Sequence, residues 1–113
     1  MLHRSTLAAA LVLALAIAAC GGSDPGPPPQ TACHYGGRCY EFEGYLLDVS
    51  ATNDGCTQDG GTAMPSCPAE GLLGVCTRDM GDGIALRGYY YDPSTVGPMQ
   101  SSCAAEGGTW TTP

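Results

Sequence analysis

Lysine is absent from this 113-residue sequence, and four arginines are its only fixed cationic side chains. A polyanion such as DNA or RNA requires a basic patch that exchanges for its condensed counterions, so the composition excludes nucleic acid as a partner. Histidine is nearly as scarce. Beyond residue 20 only His34 remains, and no G-x-S-x-G, H-E-x-x-H or phosphate-cradling glycine loop accompanies it. A catalytic triad would have to be built around that single imidazole, beside Cys33, where a solvated or disulfide-packing role is the ordinary one. The sequence therefore predicts no catalytic residues, no cofactor and no enzyme. Tryptophan and phenylalanine occur once each, as Trp110 and Phe42. No C-x-x-C pair is present, which argues against a structural zinc site.

Seven cysteines, seventeen glycines and nine prolines are what the chain has instead. A folded part of about 80 residues buries too little apolar surface to be secure by packing alone, so covalent staples are expected. All eleven acidic residues follow Cys20, against Arg38, Arg78 and Arg87, leaving that portion at about −8. Such acidity opposes electrostatic adsorption to an anionic membrane.

Residues 1–19 have the layout of a signal peptide: one arginine in the first four residues, then an apolar run from Leu7 to Ala19. The run is shorter than the roughly 20 residues that cross a bilayer. Its last residues, Ile17-Ala18-Ala19-Cys20, resemble the bacterial lipobox. That resemblance implies cleavage before Cys20 and its acylation. The chain is then expected in the cell envelope, held to the membrane through its N-terminal lipid. Gly21 is not the aspartate that resembles an inner-membrane retention signal, which favours the outer membrane. Residues 20–31 read as the anchor and a Gly/Pro-rich tether, and the ten residues GGSDPGPPPQ would reach up to roughly 30 Å.

Residues 32–113 are expected to form one disulfide-rich domain containing Cys33, Cys39, Cys56, Cys67, Cys76 and Cys103. Two segments share the pattern C-x-x-[DE]-G-G-T, at Cys56–Thr62 and Cys103–Thr109, and each is preceded by a glycine-x-cysteine strand start at Cys39 or Cys76. The expected fold is small, disulfide-rich α+β, built from two imperfect repeats over residues 31–65 and 66–113. Each repeat has a β-hairpin or strand pair, a short helix or turn, and a closing strand. Equivalent positions pair Cys39 with Cys56, Cys76 with Cys103, and Cys33 with Cys67.

Within the second unit, Gly74–Arg78 and Ile84–Tyr91 read as a hairpin about a turn at Asp79–Gly83. Pro98–Glu106 reads as a helix and Thr109–Thr112 as a strand. The first unit has strand residues from Tyr40 to Ser50. With Tyr89-Tyr90-Tyr91 and the closing Gly-Gly-Thr-Trp, residues 66–113 resemble short cysteine-rich repeats of uncharacterised lipoproteins from high-GC proteobacteria, myxobacteria among them. The first unit departs from that pattern, with Ala63 in the tryptophan position. The resemblance implies placement and architecture and carries no activity.

Three kinds of candidate chemistry remain. Glu41 and Glu43 share a strand face and could in principle do acid–base work on glycans, although this spacing more often marks a solvent-facing edge. Asp54, Asp59, Asp79 and Asp82 lie near glycines and offer oxygen to calcium, yet make no EF-hand, so no metal is predicted. The aromatic set Tyr35, Tyr40, Tyr45, Tyr89, Tyr90, Tyr91 and Trp110 is the most suggestive feature for binding, with Tyr89, Tyr90, Tyr91 and Trp110 as the candidate ligand platform. Along a strand Tyr89 and Tyr91 face one side and Tyr90 the other, so at least one side is core, and Trp110 is expected to pack against a disulfide. The leading expectation is a non-enzymatic structural or interaction module. A glycan- or peptide-binding module using exposed tyrosines is the alternative, and a small secreted enzyme or inhibitor the third.

Overall fold

Two segments of β-forming residues set the architecture of the computed structural model, which describes residues 26–113. Cys20, the signal-peptide segment and the first half of the tether, residues 21–25, lie outside the described residues. Numbered in chain order, β1 (Gln30–His34) and β2 (Arg38–Glu43) form one antiparallel hairpin. The chain then makes α1 (Val49–Gln58) and β3 (Thr62–Met64). A second hairpin joins β4 (Gly74–Asp79) to β5 (Ala85–Tyr90), followed by α2 (Pro93–Ala105) and β6 (Thr109–Thr111). All six strands lie in one antiparallel sheet, in the order β3-β1-β2-β5-β4-β6. The domain is a small disulfide-rich α+β fold.

Both helices begin at an aspartate. Asp48 Oδ1 accepts from Ala51 N at 3.0 Å, and Asp92 Oδ1 accepts from Ser94 N at 3.0 Å, each satisfying an otherwise orphaned first-turn donor. The backbone and hydroxyl bonds from Ser94 hold the Asp92 carboxyl below its ordinary range. This cap therefore stabilises the fold above the usual carboxylate pKa and is lost as the pH falls through the lowered value. Asp92 followed by Pro93 places the start of α2 five residues ahead of Pro98, the start expected from the sequence. Pro98 sits inside the helix, where it forgoes one backbone bond. In the first half, the strand expected over Tyr40–Ser50 stops at Glu43, because the chain turns at Gly44 and Asp48 opens a helix.

The shared C-x-x-[DE]-G-G-T segments are helix ends. Gly60 and Gly107 hold φ of 84° and 77°, the left-handed conformation that closes a helix. The next glycines donate back, Gly61 N to Cys56 O at 2.9 Å and Gly108 N to Cys103 O at 2.8 Å. Neither tolerates a side chain, since a Cβ at Gly61 would collide with Cys33 Sγ and one at Gly108 would lie 2.8 Å from Cys103 Sγ.

Three disulfides join Cys33 to Cys56, Cys39 to Cys67 and Cys76 to Cys103, with Cα separations of 5.7, 5.8 and 5.8 Å. The expected pairings Cys39–Cys56 and Cys33–Cys67 are thus exchanged, and strand parity explains why. Tyr40 lies opposite Cys33 and shares its face, so Cys39 points to the other side of the sheet, away from α1. Only Cys33 can reach the helix-borne Cys56. Cys39 instead holds the connecting segment, residues 65–73, against the opposite face.

The domain also begins earlier than expected. Gln30 and Thr31, read as tether, belong to β1, and Thr31 is buried with its hydroxyl 2.6 Å from Asn53 Oδ1. Pro29 O accepts from Gly44 N at 3.0 Å, and Gly26 O accepts from Tyr45 Oη at 3.1 Å. The core is thin, consisting mainly of Cys76, Cys103 and Tyr90 with Met99 and Trp110 packed against them. Trp110 lies directly on Gly74 and occupies the space a Cβ would need. Gly74→Ala is expected to destabilise the domain by about 1–3 kcal/mol through overpacking. Its urea midpoint against that of the parent checks this.

Candidate binding site

Parity along the two central strands places Arg38, Tyr40 and Phe42 of β2 beside Leu86, Gly88 and Tyr90 of β5, on the face that carries the helices. The helices do not cover this strip. α1 packs on β1 and β3, and α2 packs on β4 and β6, so β2 and β5 form the floor of a trough with one helix on each side. Gly88 lies opposite Tyr40 in the register. A Cβ there would come within 2.8 Å of Tyr90 Oη, so the absent side chain is what lets Tyr90 lie back along the floor.

Aromatic rings continue up both walls. Tyr90 stacks on Trp110, with centroids 5.7 Å apart and planes inclined by 22°. Tyr35 meets Tyr40 edge-on at 6.0 Å. The Arg38 guanidinium stands 5.8 Å from the Tyr40 ring centroid, within cation–π range. Arg38 is exposed and, among the described residues, makes no ion pair, whereas Arg78 pairs with Glu106 and Arg87 with Glu41 and Glu43.

Three hollows occupy the trough. One of about 180 Å³ lies against α1, between Tyr35, Tyr40, Phe42 and the Cys33–Cys56 bridge. One of about 160 Å³ lies against α2, between Tyr40, Tyr90, Met99 and the Cys76–Cys103 bridge. The third, about 230 Å³, opens at the end marked by Gly37, Arg38 and Asp92. Each is smaller than a typical small-molecule site of roughly 300–1,000 Å³. Tyr35, Tyr40 and Tyr90 each line two of them, so the hollows are neighbours along the trough.

The candidate platform residues are divided between faces, as strand parity implies. Tyr90 and Trp110 belong to the trough. Tyr89 lies behind the sheet and donates to Glu41 Oε1 at 3.2 Å, while Tyr91 Oη donates to Pro68 O at 2.7 Å. Tyr35 and Tyr40, members of the same aromatic set, complete the trough together with Arg38, which the sequence reading did not combine with them. The alternation Arg38-x-Tyr40-x-Phe42 was a visible signal of that face.

Burial is the main cause of raised pKa values at Tyr89, Tyr90 and Tyr91, with the Glu41 charge next at Tyr89 and Tyr40 next at Tyr90. A tyrosine whose folded pKa is raised stabilises the fold below the unfolded value of 10.0 and loses that contribution as the pH rises through the folded value. Ultraviolet titration of tyrosinate is expected to show Tyr89, Tyr90 and Tyr91 ionising above the ordinary value, together with alkaline unfolding. Six groups titrating together near the ordinary value would contradict this.

Glu41 and Glu43 do share a face, but neither carboxylate is free. Glu41 is 6% exposed; its Oε1 accepts from Arg87 at 3.2 Å as well as from Tyr89, and Oε2 accepts from Cys67 N at 3.1 Å. Arg87 also reaches Glu43 at 3.5 Å. Proton transfer requires access and an open lone pair, and the buried Glu41 has both oxygens committed to Arg87, Tyr89 and the Cys67 amide. His34 packs edge-on to Tyr91, with centroids 6.3 Å apart. Asp54 lies within α1 rather than in a turn, and Asp59 caps that helix. Asp79 ends β4, with Oδ1 accepting from Gly81 N at 2.9 Å, and Asp82 follows in the hairpin turn. Among the described residues, no three His, Cys, Asp or Glu side chains gather to hold a metal ion. Comparison with known protein families, curated proteins and solved structures gives no match, so the site's meaning rests on its own geometry.

Proposed function

We propose that this chain is a non-enzymatic, lipid-anchored interaction module of the cell envelope, placed at the outer membrane, whose binding surface is the trough between α1 and α2. The carrying observation is that the helices pack mainly on the outer strands and leave the half-buried Tyr35, Tyr40 and Phe42, with the buried Tyr90 at their side, around three neighbouring hollows. In so thin a core, aromatic area left open between two helices is more useful to a ligand than to the fold.

A neutral glycan fits this surface best. Tyrosine rings supply flat apolar area beside hydroxyls, and Arg38 adds donors unclaimed by any carboxylate among the described residues. The chain's acidity disfavours acidic polymers. A peptide could not add to the sheet here, because β2 and β5 are hydrogen-bonded on both sides within the trough.

We also read the two halves as copies of one unit. The order strand, strand, helix, strand occurs twice, and Cys33–Cys56 and Cys76–Cys103 tie the first strand to the helix in each. Tyr40 and Gly88, the register partners of Cys33 and Cys76, face each other at the centre, where a two-fold axis would pass.

Amide chemical-shift mapping with a panel of neutral oligosaccharides and, separately, unstructured peptides tests the binding reading. Perturbations confined to Tyr35, Arg38, Tyr40 and Tyr90 are expected with an oligosaccharide, with at least tenfold weaker binding by Tyr40→Ala. Peptides alone in the trough would replace the glycan reading, and no trough response to either class would overturn the binding module. Intact mass of the protein from its native envelope tests the anchor: acyl mass on a chain beginning at Cys20 is expected.

A further inference from the structure

Four large apolar side chains stand exposed among the described residues, and three belong to one end of the sheet. Tyr45 and Leu46, 62% and 74% exposed, occupy the turn after β2, and Met80, 57% exposed, occupies the β4–β5 turn. Glu43 and Asp79 both register with Ala85, which brings these turns to the same edge, and a Cβ at Gly44 would lie 3.1 Å from Ile84 Cα. The fourth, Leu73, lies at the opposite end, where its amide donates to Tyr90 O at 2.9 Å.

The N-terminal segment enters at the end that carries the three. Gly26 is bonded to Tyr45 itself and Pro29 to Gly44, so residues 26–29 follow the domain instead of serving as free tether. Only residues 21–25 separate Cys20 from that attachment. Whatever their conformation, they span at most about 20 Å, which is less than the ten-residue tether was expected to reach.

From this we infer that Tyr45, Leu46 and Met80 form a membrane-docking tip, which inserts into the interface of a zwitterionic bilayer and seats the domain tether-end down. This rests on the lipid-anchor reading proposed above. Tyrosine suits the headgroup boundary, and leucine and methionine suit the acyl margin beneath it. Glu43, Asp48, Asp79 and Asp82 surround the tip, so anionic headgroups are disfavoured and the attraction is apolar. The open hollow beside Arg38 and Asp92 then faces away from the bilayer, because those residues lie at the far end of β2 and at the start of α2.

The natively acylated full chain is reconstituted on phosphatidylcholine vesicles containing bromine-labelled acyl chains, which quench nearby tryptophan. Leu46→Trp at the tip and Leu73→Trp at the far end are compared, each corrected for Trp110 in the parent. At least twofold stronger quenching of the residue introduced at 46 is expected, unchanged by salt and abolished by Tyr45→Ser with Met80→Ser. Equal quenching at the two positions on an acylated chain overturns the docking while leaving the anchor intact. A native chain with no acyl mass on Cys20 overturns both.

Discussion

Removing the Cys76–Cys103 bridge by the paired substitution Cys76→Ala with Cys103→Ala is expected to lower the thermal midpoint by roughly 15–25 °C. The bridge closes 27 residues, and in the chain-entropy model a loop of that size restricts the unfolded ensemble by about 3.5 kcal/mol. For a domain of this size each kcal/mol moves the midpoint by about 4–8 °C. The sulfurs are also packing atoms, because Cys76 and Cys103 form the buried cluster with Tyr90. The other bridges close 23 and 28 residues, so reduction of all three withdraws about 10 kcal/mol in the same model. That is comparable with the whole stability of a domain of about 90 residues, at 0.05–0.15 kcal/mol per residue. Circular dichroism with and without reductant is therefore expected to show an unfolded reduced chain at room temperature. A midpoint shift under about 5 °C in the paired variant would mean that packing carries this fold unaided.

The second large effect is expected at Glu41. Glu41→Ala should cost about 2–3 kcal/mol, read from urea midpoints, because the substitution strands three donors together: Arg87, the Tyr89 hydroxyl and the Cys67 amide. Arg87 keeps Glu43 and partial access to water, with its side chain 26% exposed, so the loss falls short of a fully buried pair. Glu43→Ala, at a side chain 31% exposed, is expected to cost under about 1 kcal/mol. Arg87→Met in the Glu41→Ala background should recover part of the loss by removing the uncompensated charge. Equal effects at 41 and 43 would show that the pair acts only as a surface ion pair.

The hairpin of residues 74–91 was readable because its β-formers flank a turn with Asp79, Gly81 and Gly83, all local chemistry. The paired glycine motif was also readable, since each glycine answers a local demand, one for a left-handed helix end and the other for room beside a disulfide. α1 was not. Its sequence, Val49-Ser-Ala-Thr-Asn-Asp-Gly-Cys-Thr-Gln58, combines β-branched, turn-forming and glycine residues, and depends on the Asp48 cap and the tie from Cys56 to β1. β1 was hidden for a similar reason, as Gln30-Thr31 adjoin the proline run and become strand only when β2 and β3 flank them.

The cysteine exchange has a more general cause. Matching Gly-x-Cys segments placed Cys39 with Cys76 by order along the chain, whereas a strand is read by parity, and one residue of slip turns a side chain to the opposite face. Cys33 and Cys76 each lie on the first strand of a hairpin, and each is joined to a helix. The trough escaped for another reason. Arg38, Tyr40 and Phe42 were visible as one face, but the helix positions that leave them open are decided by tertiary packing.

The Cys39–Cys67 bridge has a consequence for assembly. The halves meet through β2 and β5, and a strand pair that joins two halves of one chain can equally join halves of two chains, the route to swapped dimers and open polymers. Such an exchange needs a hinge long enough to carry the second half away. With Cys67 fastened to β2, the hinge is reduced to residues 68–73, which span about 20 Å, roughly the length of the strand they run beside. The disulfide thereby limits how far the second half can swing from its own first half and so opposes such an exchange.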